Sequence, residues 1–306
     1  MTRLVTVDIG GTHARFALAE VADGKVVSLG EPVTMKTAEH ASFQTAWEAF
    51  DEMIDEPIPQ AVAIAIAGPI NAEVIKFTNN PWIIRPALIK EKLRVDAYTL
   101  VNDFEAVGHA VAQADAEHFV HLCGPDQPLA ATGTISIIGP GTGLGVAHLL
   151  RTGGHYHVQA TEGGHIDFAP LDSIEDAVLA KLRKRYRRVS VERVVSGPGL
   201  LEIYETLAGI EGRAIQQLDD KELWALGTSG EDSLAAAAVD RFCLSLGSVA
   251  GDIALAQGGF AGVVIAGGLG LRIKDSLLRS GFAERFRAKG RFEGLMAGLP
   301  VKLITH

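Results

Sequence analysis

Two glycine-rich segments contain the first residues whose types and spacing could do chemistry. The first reads Asp8-Ile9-Gly10-Gly11-Thr12, and the second has four glycines in the seven residues 139–145. Glycines at a tight turn let backbone N–H groups approach phosphate oxygens without a Cβ in the way. Four glycines in seven residues cost more backbone entropy than a plain hairpin requires. The two segments are therefore candidate phosphate-binding loops, although a simple hairpin turn remains the alternative for the first one taken alone.

Polar side chains beside the first loop strengthen this hypothesis. Thr12 adds a hydroxyl donor, and Arg15 follows closely enough to help. Asp8 ends a predicted strand, where it is suited to hydrated Mg²⁺, an ion that takes one or two carboxylates together with waters and phosphates. A third glycine site includes Gly267 and Gly268, whose flat backbone could pack against an adenine ring. A turn that begins a helix explains that third site equally well.

A carboxylate at the end of another predicted strand is a candidate general base. Asp103 follows Asn102 directly after the strand Tyr98–Val101. Such a base accepts the proton of an attacking hydroxyl and contributes about 10²–10⁴-fold to the rate. In a loose phosphoryl-transfer transition state its main task is to orient the nucleophile. The alternative is that Asp103 caps a predicted helix, Glu105–Ala114.

Three further polar residues, Glu162, His165 and Glu192, lie in glycine-containing segments of the second half. Sugars present vicinal hydroxyls, and one carboxylate can accept two of them through strong, charge-assisted hydrogen bonds. Histidine can donate or accept. Taken singly, each of these residues is explained as well by ordinary surface exposure.

The predicted elements place these residues in two similar halves. Strands alternate with helices along the chain, which is typical of α/β folds with mixed sheets. Val5-x-Val7 and Gly11-Thr12 align at constant offset with Ile135-x-Ile137 and Gly141-Thr142, and Ala17 then falls on Ala147. Each copy reads strand, glycine turn, strand. The repeat predicts a duplication into two lobes that face a shared ligand cleft.

Composition excludes several other classes of protein. The chain has 306 residues, 28 basic and 37 acidic side chains, and a formal net charge of −9. Because nucleic-acid backbones are held mainly by Lys and Arg, a nucleic-acid partner is not expected. The longest apolar stretch, Ala235–Leu255, is interrupted by three charged residues, so no membrane span is expected. Two isolated cysteines indicate neither disulfides nor a zinc site, and a cytoplasmic setting is the default.

The combination of motifs closely resembles the bacterial ATP-dependent glucokinases of the hexokinase and actin-like ATPase superfamily. The resemblance runs nearly end to end. It rests on DIGGTHARFAL (8–18), AGPI (67–70), TNNPW (78–82), NDF (102–104), GPGTGLGVA (139–147), EGGHIDFAP (162–170), VERVVSGPGL (191–200) and AGGLG (266–270). The segments EGGHIDFAP and GPGTGLG are the most specific of these.

The resemblance implies a function, a fold and a set of roles. ATP and Mg²⁺ would phosphorylate glucose at its 6-hydroxyl, in a two-lobed actin-like ATPase (ribonuclease H-like) fold with a duplicated mixed-sheet core and an inter-lobe cleft. Residues 1–107 and 290–306 would form the small lobe and residues 108–289 the large lobe, in a homodimer. Asp103 would be the base, and the other sugar ligands would be Asn79, Asn80, Asn102, Glu162, His165 and Glu192. The nucleotide and its metal would be bound by Asp8, Ile9, Gly10, Gly11, Thr12, His13, Arg15, Gly139, Gly141, Thr142, Gly143, Gly267 and Gly268, with Asp8 on Mg²⁺.

Two departures and three alternatives remain open at this point. His13 stands where the family often has Asn, and Leu271 where a Pro is common. The alternatives are a kinase for another hexose (mannose, fructose or an N-acetylated amino sugar), a non-enzymatic sugar sensor, and a cytoskeletal or chaperone-type ATPase. The related repressor/kinase family carries a cysteine-rich zinc site, which two isolated cysteines do not supply.

Overall fold

The structure is a computed structural model that describes residues 1–68, 70–77 and 80–305. It divides into two compact units, residues 1–109 and 110–306. The sequence had suggested that residues 290–306 belong to the first unit. They belong to the second unit. The reason is that the last strand, Val301–Ile304, pairs with strands of the second sheet on both of its sides.

The first unit is a mixed sheet with helices against it. Its strands are β1 (Thr2–Ile9), β2 (His13–Ala22), β3 (Lys25–Leu29), β4 (Val33–Lys36), β5 (Ala61–Ile66), β6 (Ile75–Lys76), β7 (Ile83–Ile84) and β8 (Ala97–Asn102), and its helices are α1 (Phe43–Met53), α2 (Ile89–Leu93) and α3 (Asp103–Gln113), the last of which contains the boundary between the units. The main sheet has the order β3-β2-β1-β5-β8, and β4 also pairs with β2. The short strands β6 and β7 form a separate pair.

The second unit is larger and helps to define the duplication. Its strands are β9 (Phe119–Cys123), β10 (Gly133–Pro140), β11 (Leu144–Thr152), β12 (His155–Thr161), β13 (Gly262–Ile265) and β14 (Val301–Ile304). Its helices are α4 (Ser173–Arg183), α5 (Gly199–Glu211), α6 (Asp220–Ser229), α7 (Ser233–Gln257), α8 (Gly267–Arg272), α9 (Lys274–Arg279), α10 (Phe282–Arg287) and α11 (Glu293–Ala297). The sheet order is β12-β11-β10-β13-β14-β9.

The two sheets repeat one topology, as the sequence predicted. In each, three consecutive strands form antiparallel neighbours and the next two join in parallel, in the order β3-β2-β1-β5-β8 and β12-β11-β10-β13-β14. The register differs by one residue beyond the glycine turn. Val7 pairs with Phe16, whereas the equivalent Ile137 pairs with Ala147. Ala147 is therefore the counterpart of Phe16 and not of Ala17, because the second turn is one residue longer.

Alternation of side chains explains how the first sheet acquires its buried face. Val5, Val7 and Ile9 alternate with half-buried residues along β1, and they pack in one apolar cluster with α1. Helix α1 begins with a capping box at Ser42, in which the Ser42 hydroxyl accepts the Thr45 N–H and the Thr45 hydroxyl accepts the Ser42 N–H. This packing holds β1, and with it the start of the first glycine loop, in place.

Helix α7 is the central helix of the second unit. It is 25 residues long and apolar enough to cross a membrane by length and composition, but 72% of its most apolar stretch is buried within the folded chain. It packs in the main apolar cluster with side chains from α5, α6 and α10. Cys243 lies in this helix, and burial raises the pKa of its thiol to about 12. Burial likewise raises the pKa of the Cys123 thiol in β9 to about 11.

A partly buried ionic cluster joins α4, α7 and α10. Asp172 caps α4 by accepting the Ile174 and Glu175 N–H groups, and it also pairs with Arg241 and Arg285. Glu175 is 2% exposed and accepts hydrogen bonds from the Leu171 N–H at 2.7 Å and the Ser245 hydroxyl at 3.1 Å. Arg285 Nη1 lies 3.7 Å from Glu175, so this one arginine serves both carboxylates.

Candidate functional site

The first glycine loop joins β1 to β2 and lies next to an ion pair. Asp8 and Arg15 face each other in register, and Arg15 Nη1 donates to Asp8 Oδ2 at 2.8 Å. Both side chains are about half exposed, so Asp8 remains accessible to a hydrated cation. In the described part of the chain no three His, Cys, Asp or Glu residues cluster as a metal site. A lone accessible carboxylate suits Mg²⁺ that arrives with phosphates, and it does not suit Zn²⁺.

Two predicted nucleotide ligands of this loop have other contacts. The Ile9 side chain is fully buried in the core, so only its backbone could take part. The Ile9 carbonyl, moreover, accepts the Ala67 N–H at 3.1 Å. His13 Nδ1 lies 2.9 Å from the Thr12 hydroxyl, so the two polar groups of the loop form one hydrogen-bonded pair.

Asn80, predicted to bind sugar, lies against the first glycine loop. Its Nδ2 donates to the Gly10 carbonyl at 3.1 Å, and its Oδ1 accepts the Trp82 N–H at 2.9 Å. The residue is 6% exposed. These contacts make Asn80 a support of the loop. Its neighbour Asn79 lies outside the described residues.

Asn102 is the residue that caps α3. Its Oδ1 accepts the N–H groups of Phe104 at 2.9 Å and Glu105 at 3.3 Å, and the Glu105 carboxylate accepts the Asn102 N–H at 3.4 Å. Its Nδ2 donates to the Gly68 carbonyl at 3.0 Å. Because Asn102 performs the capping, the helix-cap explanation for Asp103 is no longer needed.

Asp103 occupies the first position of α3 with an exposed side chain. Its Oδ1 accepts the Phe104 N–H at 2.8 Å. Partial desolvation by the surrounding protein raises the pKa of this carboxyl above its ordinary value, and the negative charge of Asp8 acts in the same direction. The Phe104 N–H opposes this rise without cancelling it. A carboxylate with a raised pKa is a stronger base than a free aspartate.

The second glycine loop is tied to the segment that contains Glu192. Glu192 Oε2 accepts the Leu144 N–H at 2.9 Å. A Cβ placed on Gly143 would lie 2.5 Å from the same oxygen, so glycine at this position allows the Glu192 carboxylate to approach the loop this closely. The Gly197 N–H, from the turn that follows, donates to the Gly141 carbonyl at 2.6 Å.

The predicted sugar residues of the second unit lie together. His165 Nε2 is 3.6 Å from Glu162 Oε2, and His165 Nδ1 is 4.0 Å from Glu192 Oε1. A Cβ on Gly164 would overlap the Leu144 carbonyl oxygen, so the two glycines before His165 allow this segment to approach β11 closely. Glu192 thus uses one oxygen on the glycine loop and directs the other toward His165.

The third glycine site lies beside the second loop. Gly267 has φ +83°, and a Cβ there would be 3.3 Å from the Pro140 carbonyl. A Cβ on Gly268 would meet no atom within 4 Å, which leaves open space of the kind a flat ring could use. Leu271 lies within α8, so the helix forms without the proline common at this position.

Sequence reasoning missed the residues that hold the loops from behind. These are Thr37 behind the first loop and Gly197 and Trp224 behind the second. Thr37 is separated from its partner Gly11 by 26 residues, and no motif marks it. Gly197 belongs to the quoted motif 191–200, but its partner was not foreseeable from spacing.

Comparison with known proteins first defines a class. The fold matches the crystal structure of a glucokinase from an Antarctic psychrotroph with a TM-score of 0.88 and 34% identity, covering 100% of this chain and 95% of that one. It also matches a ROK-family glucokinase from Streptomyces griseus, solved with glucose and AMPPNP, with a TM-score of 0.55 over 97% of each chain, at 16% identity. The fold is thus that of the sugar kinases with an actin-like ATPase fold, as predicted.

Sequence comparison then narrows the class to a family. The family model described as Glucokinase matches residues 5–306. The glucokinase of Zymomonas mobilis is 61% identical over 303 residues, which covers 99% of this chain and 93% of that protein. The chain belongs to the glucokinase family.

Proposed function

We propose that this enzyme transfers the γ-phosphoryl group of ATP to the 6-hydroxyl of D-glucose, giving glucose 6-phosphate and ADP. The observation that supports this assignment most is that two neighbouring residues at the start of α3 have different roles. Asn102 caps the helix, and the neighbouring Asp103 carboxylate accepts the Phe104 N–H and has a raised pKa. High identity to a glucokinase favours glucose over the other hexoses and over a sugar sensor.

The proposed reaction uses one proton acceptor and one in-line displacement. The 6-hydroxyl oxygen of glucose attacks the γ-phosphorus while its proton passes to Asp103. The bond between the γ-phosphorus and the bridging oxygen breaks, and ADP leaves with that oxygen. Asp103 Oδ1 already accepts the Phe104 N–H, so Oδ2 is the better placed acceptor. Orientation of the hydroxyl is the main contribution expected of the base in such a loose transition state.

We assign the sugar hydroxyls to Asn102, Glu162, His165 and Glu192. Carboxylates that accept paired hydroxyls form strong, charge-assisted hydrogen bonds. In the second unit, His165 lies 3.6 Å from Glu162 and 4.0 Å from Glu192. We assign Asn80 to the support of the first loop and not to the sugar, because it is 6% exposed, its Nδ2 donates to the Gly10 carbonyl, and its Oδ1 accepts the Trp82 N–H.

We assign the nucleotide to the glycine segments. The backbone N–H groups of Gly11, Thr12, Thr142 and Gly143 would face the phosphates, since those of Gly10 and Gly141 already donate to the His13 and Gly143 carbonyls. Gly139 would lie beside them, and Gly267 and Gly268 near the adenosine. Mg²⁺, held by Asp8 and the phosphates, would neutralise charge on the phosphoryl oxygens. A cytoplasmic homodimer is part of the same proposal.

Two experiments test this function. The first is ADP release, measured in a coupled assay with MgATP and a panel of hexoses, for which we expect glucose to be the preferred substrate. No ADP release with any hexose would refute the proposal. The second is Asp103→Asn, which should lower kcat about 10²–10⁴-fold while glucose binding, measured by calorimetry, is retained. A variant that keeps the wild-type kcat would refute the role of Asp103.

A further inference from the structure

Three consecutive carbonyl groups of the first glycine loop accept hydrogen bonds from the body of the first unit. The Gly10 carbonyl accepts Asn80 Nδ2 at 3.1 Å, and the Gly11 carbonyl accepts the Thr37 hydroxyl at 3.1 Å. The Thr12 carbonyl accepts the Thr37 N–H at 3.0 Å. Two residues therefore fix three consecutive carbonyls.

Fixing the carbonyls also fixes the N–H groups. In a planar trans peptide the C=O and the following N–H point in opposite directions. The N–H groups of Gly11 and Thr12 are therefore turned away from Asn80 and Thr37. Successive N–H groups that converge in a turn form an anion-binding concavity. The two anchoring residues thus set the direction in which the loop presents its donors.

Both anchors are themselves held rigidly. Thr37 is 2% exposed and directly follows β4, whose residue Lys36 pairs with His13 at the other end of the loop. Asn80 is 6% exposed, and the Trp82 N–H fixes the orientation of its amide. Such rigid supports reduce the entropy that a loop loses when it binds a ligand.

The second copy of the duplication anchors the same carbonyl by other means. Gly141 is the counterpart of Gly11, and its carbonyl accepts the Gly197 N–H at 2.6 Å. The Gly197 carbonyl in turn accepts Trp224 Nε1 at 3.3 Å. Two unrelated donors at equivalent carbonyls indicate that the anchor serves the loop and is not an accident of local packing. Only in the first copy is this donor a side chain, which mutation can remove.

We propose that Thr37 and Asn80 are positioning residues for the nucleotide: they hold the first glycine loop with its N–H groups directed at the phosphates. The proposal rests on the function proposed above. Neither residue needs to touch ATP or glucose. Their loss should weaken nucleotide binding selectively, because the loop would have to be ordered at the moment of binding.

The variant Thr37→Val tests this by removing the hydroxyl while keeping the branched shape and the backbone N–H. We expect the KM for ATP to rise about 5- to 30-fold, as for the loss of one internal hydrogen bond, with the KM for glucose unchanged. Thr37→Ser should restore the wild-type value. The matched control is Thr206→Val in α5, where a threonine that is 8% exposed donates to the Glu202 carbonyl at 2.7 Å. That control should lose stability without a change in either KM.

A second measurement does not depend on turnover. ADP and glucose should each raise the melting temperature of the wild-type protein, since a ligand of the native state stabilises it. In Thr37→Val the shift caused by ADP should shrink and the shift caused by glucose should persist. If wild-type protein showed no turnover, the proposed function would fail, yet the ADP shifts would still decide the role of Thr37. Should Thr37→Val not fold, Asn80→Ala takes its place.

Two results would overturn the proposal. One is a wild-type KM for ATP and a wild-type ADP shift in Thr37→Val, or in Asn80→Ala where that variant replaces it. The other is an equal rise in the KM of both substrates in Thr37→Val and in the control Thr206→Val, which would reveal a general loss of stability.

Discussion

Replacing Gly143 by alanine should damage function far more than folding. A Cβ at this position would lie 2.5 Å from Glu192 Oε2 and 3.2 Å from Glu192 Cδ. Both atoms are at the free end of a flexible side chain, so the carboxylate can swing away while the backbone keeps its path. The φ angle of Gly143 is not in the left-handed region, so alanine adds no backbone strain. The cost is therefore confined to what Glu192 contacts.

The magnitude follows from those contacts. A displaced Glu192 loses the Leu144 N–H, an acceptor bond of 2.9 Å made by a charged group. If the transition state loses the energy that a hydrogen bond to a charged group contributes, about 1.5–3 kcal/mol, kcat/KM should fall about 10- to 150-fold. Because the other carboxylate oxygen faces His165, kcat/KM should fall for glucose as well as for ATP.

Steady-state kinetics with a double-mutant cycle would check this reasoning. Gly143→Ala, Glu192→Ala and the double variant are assayed for kcat/KM, with Gly209→Ala as a control, since a Cβ there meets no atom within 4 Å. If Gly143→Ala acts by moving Glu192, the double variant should be no worse than Glu192→Ala alone. Additive losses would refute this mechanism, as would a large drop in the melting temperature of Gly143→Ala.

Three further outcomes are expected. The pKa of Asp103 is raised, and the base must be ionised to act. On acidification, kcat/KM for glucose should therefore fall with an apparent pKa above about 3.9, the pKa of a free aspartate. An apparent pKa at or below about 3.9 would contradict the assignment. The same shift means that the folded state binds the Asp103 proton more tightly than the unfolded state. This contribution to stability is therefore present at low pH and is lost as pH rises through the raised pKa. In urea denaturation at neutral pH, Asp103→Asn should be at least as stable as the wild type. Arg285→Ala, which leaves Asp172 and Glu175 with fewer partners, should lower the free energy of unfolding by about 3 kcal/mol, whereas the exposed Arg279→Ala should not; equal stability of the two variants would show that the cluster contributes little.

Local patterns in the sequence were sufficient to predict the duplicated sheets. Alternating apolar residues and a glycine turn specify strand, turn, strand in both copies. The pairing beyond the turn was not predictable, because one extra residue in the second turn shifts every later partner. This is why Ala147 pairs with Ile137, the counterpart of Val7, and why Ala17 has a different equivalent. The unit to which the last strand, Val301–Ile304, belongs was also not predictable, because it depends on pairing with β9 and β13.

The candidate site was predicted in its residue types but not in its division of roles. Asn102 and Asp103 were both recognised, but only their hydrogen bonds show that Asn102 performs the capping. Glu192 contacts Leu144 across 48 residues of sequence, and Asn80 contacts Gly10 across 70. Such contacts exist only after tertiary packing, so no local motif encodes them.

Because both thiols are buried, the folded protein should react very slowly with cysteine reagents. The thiolate is the reactive species, and pKa values of about 11 and about 12 leave almost none of it at neutral pH. Burial of both sulfur-bearing side chains also blocks the reagent itself. A fluorescent or spin label could therefore be placed at a single introduced cysteine on either unit without first removing the native ones. The slow rate at which the native cysteines are labelled would in turn report how often the folded protein opens around Cys123 and Cys243.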